Sequence, residues 1–149
     1  MIHVLFGTHS GNSEDLATEL SERIEQAGHE VEVIDLGDDH DASVLDEVEA
    51  AFFIVSTWGE GDPPQDVQDF FDDLKKREPM GLTKMSFGVL ALGDKSYENF
   101  CGFGKSLEKE LLRHGADQVV ERIDCDVFFD DDYEEWAGQV MEWVADYEG

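Results

Sequence analysis

The sequence predicts an α/β fold, a three-layer sandwich in which a five-stranded parallel sheet lies between helices. Two observations carry this prediction. Runs of β-type apolar residues alternate with segments of helical periodicity along the whole chain, with no linker or repeat between them. The central strand segments are apolar on both faces, as in a parallel sheet that helices cover on both sides. At 149 residues the chain has the length of one domain, and we expect a single domain over residues 1–149.

Each element follows from its own apolar pattern. The strands are predicted at Ile2–Phe6, Val31–Leu36, Phe52–Ser56, Phe87–Leu92 and Val119–Ile123. A first helix is indicated by Leu16, Leu20, Ile24 and Ala27 and ends at Gly28, and a short helix is expected near Val44–Val48. Three further helices are indicated by the stripes Val67, Phe70, Phe71 and Leu74; Phe103, Leu107 and Leu111, ending at Gly115; and Trp136, Val140, Trp143 and Tyr147.

The net charge narrows the possible functions. The chain has 37 acidic and 10 basic residues, which gives a formal charge of −27. Nucleic-acid binding is disfavoured because it needs Lys and Arg on one face, and anionic membrane surfaces would repel the chain. The longest apolar run, Ala50–Val55, is too short to span a bilayer. Since Met1–Phe6 lacks a basic n-region and a full apolar h-region, we expect no signal peptide and a cytoplasmic location.

Cysteine and histidine spacing gives no sign of a metal site. Cys101 and Cys125 do not form a C-x-x-C pair, and no two of the five histidines have the i, i+4 spacing of helical ligands. We therefore expect reduced thiols and no metal.

The loop after the first strand has the composition of a phosphate site. It reads Gly7-Thr8-His9-Ser10-Gly11-Asn12-Ser13-Glu14 and leads into a helix, whose N-terminal N–H groups and dipole favour an anion. A helix N-cap would explain one Ser or Asn, but four hydroxyl or amide side chains exceed what a cap requires. The sequence contains neither the Lys of a P-loop here nor the G-x-G-x-x-G spacing of a dinucleotide fold.

Two further loops bring aromatic residues to the same edge, because ligands of doubly wound sheets bind at the carboxyl ends of the strands. Trp58 lies in the turn sequence Thr57-Trp58-Gly59-Glu60-Gly61-Asp62-Pro63-Pro64, which places it at the rim. Tyr97 follows the fourth strand. Two aromatics beside a phosphate loop predict a flat ring carrying a phosphorylated tail.

These motifs resemble the flavodoxin family. Thr8-His9-Ser10-Gly11-Asn12-Ser13 is similar to its phosphate loop, Ser56-Thr57-Trp58-Gly59 to its second loop and Leu92-Gly93-Asp94-Lys95-Ser96-Tyr97 to its third. Glu121–Asp126 resembles the family's segment before the last helix, without the long insertion, as in short-chain members. The chain also resembles the FMN domain of diflavin reductases such as the sulfite reductase flavoprotein.

The resemblance implies strand order 2-1-3-4-5 and one non-covalent FMN. It implies that Trp58 and Tyr97 sandwich the isoalloxazine, and that backbone groups around Gly59, Asp94 and Cys101 face its polar edge. The phosphate would be held by Thr8, His9 (through its backbone), Ser10, Gly11, Asn12 and Ser13. Cofactor contacts are also expected from the neighbouring Thr57, Glu60, Gly61, Leu92, Gly93 and Phe100.

The function that the resemblance implies is a low-potential carrier, with no substrate of its own, that shuttles single electrons between redox proteins. We expect a monomer whose reductase donor and acceptor dock at the flavin edge. The alternative is a separately encoded FMN subunit or domain of an NADPH-dependent reductase system, which would need the same three loops. A response-regulator domain shares the strand order, but it requires an Asp where this chain has Thr57 and Trp58.

The acidic excess exceeds what docking of basic partners requires. We interpret it as an adaptation to high salt, under which the fold gains stability as self-repulsion is screened. Asp130-Asp131-Asp132 is expected to be an acidic N-cap of the last helix rather than a cation site.

Overall fold

The computed structural model of the protein describes residues 1–7, 11–38, 40–57, 61–96 and 98–147. Strands and helices alternate along the chain, in agreement with the periodicity of the sequence. In chain order they are β1 (Ile2–Gly7), α1 (Asn12–Gln26), β2 (Val31–Asp35), β3 (Ala50–Ser56), α2 (Gln68–Lys76), β4 (Ser86–Leu92), α3 (Gly102–Arg113), β5 (Asp117–Gln118), β6 (Ile123–Cys125) and α4 (Asp130–Ala145). Two short 3-10 helices, Ala42–Leu45 and Gln65–Val67, precede β3 and α2.

The sheet is parallel and has the predicted order. Its strands run β2-β1-β3-β4, and β5 and β6 both pair with the outer edge of β4. The order 2-1-3-4-5 is thereby confirmed. Pairing is in continuous register across the centre, where Val4 lies beside Phe52 and Phe52 beside Gly88.

Two apolar cores form because the central strands are buried on both faces. All seven residues of β3 are buried, and alternate side chains enter opposite cores. Phe53 packs with Phe70 and Phe103 in the core beneath α2 and α3. Phe52 packs in the core beneath α1 and α4, where its ring meets that of Trp136 edge-on at a centroid distance of 6.3 Å.

The fifth strand is interrupted, unlike the continuous Val119–Ile123 strand that the sequence predicts. The partners of β4 are the separate segments β5 and β6, and four residues lie between Gln118 and Ile123, where β4 has only two between Phe87 and Leu90. The extra residues form a bulge. Val120 is buried there, and a Cβ built on Gly88 would lie 2.9 Å from the Cβ of Val120. The bulge therefore fills the space that Gly88 leaves open.

Two further expectations need correction. The run Asp130–Asp132 occupies the first turn of α4, but Phe129 is the N-cap residue and no side chain caps the helix. The acidic residues can still interact favourably with the helix dipole. The helix expected near Val44–Val48 is instead the 3-10 turn Ala42–Leu45, which begins where the side chain of Asp41 accepts a hydrogen bond from the N–H of Ser43.

Helix α3 lies unusually close to the sheet. A Cβ built on Gly104 would overlap the Cβ of Ala91 in β4. The helix is held against the strand at a distance that only glycine allows, and this fixes the position of its N-terminus. No helix within the described ranges is both long and apolar enough to cross a membrane.

We expect Gly104→Ala to destabilise the fold by about 1–3 kcal/mol, because the added methyl group would push α3 away from β4. The matched control is Gly138→Ala in α4, where a Cβ would meet no atom within 4 Å. That substitution should stabilise by about 0.5–1 kcal/mol through helix propensity. Urea unfolding at fixed salt measures both changes. Equal effects of the two substitutions would contradict this account of α3 packing.

Candidate functional site

The three central strands end at one edge of the sheet. Ser56 pairs with Leu92, and Gly7 pairs with Val55, so β1, β3 and β4 finish almost level with one another. The loops that follow these strands are therefore neighbours, as the parallel topology requires. A ligand that spans all three loops would rest on the carboxyl end of β3.

The structure describes part of the predicted site. Seven predicted cofactor residues lie outside the described ranges, namely Thr8, His9, Ser10, Trp58, Gly59, Glu60 and Tyr97. The described ones cluster at the sheet edge, at the start of α1 (Gly11, Asn12, Ser13), after β3 (Thr57, Gly61) and at or after the end of β4 (Leu92, Gly93, Asp94, Phe100, Cys101).

The start of α1 has the features of an anion site. Gly11 is its N-cap residue, with φ +88°, a conformation that suits glycine and leaves no side chain to cap the helix. The first intrahelical bond runs from the N–H of Asp15 to the carbonyl of Gly11. The amides of the preceding turn, including those of Asn12 and Ser13, have no acceptor within the helix and point along its axis toward the sheet edge.

Ser13 connects this helix to the next strand. Its side chain is fully buried, and its hydroxyl lies 2.9 Å from the hydroxyl of Ser56, the last residue of β3. Either hydroxyl can be the donor. The pair joins the start of α1 to the base of the second loop, so the phosphate-loop helix and the aromatic loop share one buried polar contact.

Thr57 connects the second loop to the third. Its N–H donates to the carbonyl of Leu92 at 3.0 Å, and its Oγ1 accepts a hydrogen bond from the N–H of Phe103 at 3.2 Å. The second of these bonds satisfies a donor in the first turn of α3, which has no acceptor within the helix. The predicted cofactor residue Leu92 itself directs its side chain into the core beneath α1 and α4.

Two glycines bring the second and third loops into van der Waals contact. A Cβ built on Gly102 would lie 2.7 Å from the Cα of Gly61, and one on Gly61 would lie 3.1 Å from the Cβ of Asn99. Gly61 also has φ +112°. Side chains at either glycine would force the loops apart, so their close approach depends on the absence of both.

Cys101 has a strained backbone at the start of α3. It is the N-cap residue and has φ 55°, a left-handed conformation that is uncommon for residues with a side chain. Its buried thiol lies 3.3 Å from the carbonyl oxygen of Ala91 and faces it as a donor. Burial raises the pKa of the Cys101 thiol to about 12, and burial likewise raises the pKa of Cys125 to about 12. Both cysteines are free, and burial makes them unreactive.

Carboxylates hold the third loop through its backbone. The side chain of Asp94 accepts hydrogen bonds from the N–H and the hydroxyl of Ser96. Asp126, which follows β6, accepts from the N–H of Lys95 at 3.0 Å and from the N–H of Val127 at 2.8 Å. These bonds lower the pKa of Asp126 below its ordinary value. The third loop is therefore fixed at its base by the neighbouring β6–α4 connection.

Charge is distributed very unevenly along the chain. Residues 75–122, which include α3 and β4, contain nine basic and seven acidic residues, a net charge of +2. The other 101 residues contain 30 acidic residues and one basic residue, a net charge of −29. That basic residue is Arg23, and it is paired with Glu19 and Glu134. The loops after β1 and β3 therefore belong to the strongly acidic part of the molecule.

The sequence analysis did not name Ser56, Gly102 or Asp126 as cofactor-site residues, although Ser56 and Asp126 lie in its motifs and each contacts the predicted loops. Gly102 and Gly104 at the start of α3 carried a signal, since two glycines in one helical turn oppose helix formation and indicate close packing. Asp126 ends the family-like segment Glu121–Asp126, but nothing in the sequence indicated its bond to Lys95, because a surface aspartate before a helix is common.

The described residues fit FMN. The start of α1 offers backbone N–H groups and neutral side chains to a phosphate. The close contact between Gly61 and Gly102 brings the other two loops together at the same edge. A metal is not needed to neutralise the phosphate at such a site. In the described part of the chain, no group of three or more His, Cys, Asp or Glu side chains could hold a metal ion.

Comparison with known proteins agrees with this geometry. The family model described as Flavodoxin matches residues 4–143. Among solved structures, oxidised flavodoxin 1 from Bacillus cereus is 27% identical, with a TM-score of 0.81 over 99% of both chains. A Streptococcus pneumoniae flavodoxin is 26% identical, with a TM-score of 0.83 over 97% of both chains.

Curated relatives are longer proteins. The sulfite reductase [NADPH] flavoprotein alpha-component of Bacillus subtilis is 35% identical over 148 residues, which is 99% of this chain and 24% of the relative. The corresponding protein of Vibrio vulnificus is 32% identical over 96% of this chain and 23% of its own length. This chain thus spans about a quarter of the length of these relatives. Together, the strand order, the three converging loops and a family match over residues 4–143 establish that the chain belongs to the flavodoxin family of FMN-binding electron carriers.

Proposed function

We propose that this chain is a low-potential, one-electron carrier whose FMN lies across the carboxyl ends of β1, β3 and β4. The observation that carries the proposal is the convergence of three loops at that edge, with the start of α1 at one side and the Gly61–Gly102 contact at the other. In this arrangement the FMN phosphate is held at α1, and the ring lies between the loops that contain Trp58 and Tyr97.

The phosphate site works through neutral donors. N–H groups at the start of α1, with the side chains of Thr8, Ser10 and Asn12, donate to the phosphate oxygens. The predicted phosphate residue Ser13 has its hydroxyl buried against Ser56, so its side chain supports the site from behind. The Ser13–Ser56 contact keeps the helix terminus in place, because displacing it would leave buried hydroxyls without partners. No cation is required, which suits a part of the chain that has 20 acidic residues and one basic residue in its first 74 positions.

The ring site rests on described residues at the bases of the second and third loops. When bound, FMN supplies one- and two-electron transfer chemistry. Thr57 holds the second loop to α3, and Asp94 and Asp126 hold the third loop. Backbone groups of these anchored, described residues are therefore in place to support the polar edge of the ring.

The acidic residues near the site lower the reduction potential of the bound flavin. Each carboxylate disfavours the addition of negative charge at the ring. One charge at about 10 Å contributes roughly 0.4–1.7 kcal/mol for effective dielectrics of about 80 to 20, and about 1.4 kcal/mol corresponds to about 59 mV in a one-electron couple. A few carboxylates near the site, among them Asp62, Asp94 and Asp126, would together lower the potential appreciably.

A second candidate function is the FMN module of an NADPH-dependent reductase. The observation in its favour is the 35% identity to a sulfite reductase flavoprotein, compared with 27% and 26% for the flavodoxin structures. Reduction of the purified protein by an NADPH-oxidising FAD reductase, compared with reduction by a ferredoxin-type donor system, would separate the two. Much faster electron transfer from the FAD reductase than from the ferredoxin-type donor favours the reductase module. Equal rates of electron transfer from the two donors favour a general carrier.

We also propose that the acidic excess is an adaptation to high salt and that the protein acts as a monomer. Like charges at this density repel one another within one copy and between copies. Exposed carboxylates such as Glu22, Glu25 and Glu142 lie on α1 and α4, whose sequences together contain one basic residue, Arg23.

The cofactor proposal predicts that FMN binds far more tightly than riboflavin. The phosphate makes charge-assisted hydrogen bonds worth about 1.5–3 kcal/mol each, so two of them give at least roughly a 100-fold difference in Kd. Flavin fluorescence quenching measures both constants, in dilute buffer and in molar KCl. Equal affinities would place the phosphate in solvent, and a protein that binds neither flavin at any salt concentration would refute the function.

We expect Thr57→Val to weaken FMN binding by about five- to tenfold, because the loss of Oγ1 leaves the N–H of Phe103 without its acceptor and loosens the contact between the second and third loops. The matched control is Thr83→Val, an exposed site in the connection that precedes β4, at the opposite edge of the sheet. Titration of each variant with FMN tests the prediction. An unchanged Kd in Thr57→Val would show that this bond does not support the ring site.

Salt should stabilise the fold strongly. We expect Tm to rise by at least about 5 °C between dilute buffer and molar KCl, which corresponds to a gain of about 1.25–2.5 kcal/mol for a protein of this size. The triple variant Glu22→Gln, Glu25→Gln, Glu142→Gln should be more stable in dilute buffer and less sensitive to salt. Sucrose at matched osmolality controls for solute exclusion. A Tm that does not depend on KCl would contradict the adaptation.

A further inference from the structure

An exposed apolar pair lies in the connection between β6 and α4. Phe128 is 92% exposed and Val127 is 53% exposed, the two highest values among the large hydrophobic residues that the structure describes. An aromatic side chain that is almost entirely in water has no role in the core. Single exposed apolar residues are common on proteins, but a Phe at this exposure beside a second apolar residue is unusual.

The pair lies at the cofactor edge of the sheet. It follows β6, whose last residue, Cys125, pairs with the last residue of β4, Leu92. It is also held there, because Asp126 accepts hydrogen bonds from the N–H of Val127 and from the N–H of Lys95 in the third loop. One carboxylate thus fixes the backbone of the apolar pair to the loop that flanks the predicted flavin ring.

The segments that flank the pair are acidic. The third loop and the β6–α4 connection with the first turn of α4 contain Lys95 and six acidic residues, namely Asp94, Glu98, Asp126, Asp130, Asp131 and Asp132. Such an arrangement, an apolar centre within a charged rim, is the usual composition of a protein–protein contact.

We propose that Phe128, with Val127, is the apolar anchor by which the protein docks an electron-transfer partner at the flavin edge. The partner is a separate redox protein that presents an apolar depression bordered by Lys and Arg. This proposal rests on the proposed function, which places FMN beside the third loop. In such a complex the acidic rim speeds and orients the encounter with the partner. Burial of Phe128 then holds the complex together long enough for electron transfer.

Charge complementarity selects this partner over others. A second copy of the chain would bring a further −27 charge against the same rim, and an anionic membrane surface would be repelled in the same way. A basic protein is attracted, and its encounter depends on ionic strength. The anchor contributes through buried apolar area, which salt does not screen.

The experiment uses the FMN-loaded, chemically reduced protein and cytochrome c, a small basic haem protein whose haem edge is ringed by lysines. One electron leaves the flavin and reduces the haem iron from Fe(III) to Fe(II). Stopped-flow absorbance gives the second-order rate constant at low salt and at about 0.5 M KCl, where the rim charges are largely screened. We expect Phe128→Ala to lower this constant by about tenfold at high salt and by less at low salt.

Three controls isolate docking from other effects. Leu112→Ala removes an apolar side chain that is 47% exposed near the C-terminal end of α3, at the opposite edge of the sheet. Phe128→Leu keeps an apolar side chain and should retain most of the rate. Ferricyanide, a small acceptor that needs no apolar contact, should be reduced equally fast by all variants.

Each result of these rate measurements either supports or overturns the role of Phe128 as an anchor. The anchor is supported if Phe128→Ala alone lowers the rate with cytochrome c and Phe128→Leu retains most of it. Equal rates for Phe128→Ala and Leu112→Ala overturn it, as does a parallel loss with ferricyanide, which would place the effect on the flavin itself. A protein that takes up no FMN refutes the proposed function, and it is recognised before any rate is measured.

Discussion

Burial of the three central strands on both faces is the constraint on which the rest of the structure depends. Since β1, β3 and β4 are covered by helices above and below, their only access to solvent is at their ends. Parallel pairing in continuous register brings their carboxyl ends level, and the three loops with chemically interesting residues become neighbours. The location of the predicted site thus follows from core packing, the order of the strands and the composition of the three loops.

The fold could be predicted from the sequence because apolar periodicity reports burial directly. Apolar periodicity did not predict conformations that depend on contacts between two distant elements. The interruption of the fifth strand depends on Val120 filling a space above Gly88, two residues that are 32 positions apart and carry no common pattern. For the site, local composition identified the loops, whereas the bonds that fix them, such as Asp126 to Lys95, join segments that only the folded chain brings together.

Charge is divided unevenly between two parts of the chain. The segment 75–122 is close to neutral, and the remainder carries almost the entire negative charge. The loop after β4 lies in the first region, while the loops after β1 and β3 lie in the second, so the predicted flavin lies where the two regions meet. Such a distribution orients an approaching basic protein before contact, which affects association rates more than affinity.

The contact between Gly61 and Gly102 has a consequence for the speed of electron transfer. Because a side chain at either glycine would overlap the other loop, the two loops pack as closely as their backbones allow. We expect this close packing to limit the rearrangement of the two loops when the charge on FMN changes, and a small reorganisation energy lets a carrier exchange electrons quickly at modest driving force. The absence of side chains at Gly61 and Gly102 would in this way affect the rate at which the whole protein exchanges electrons.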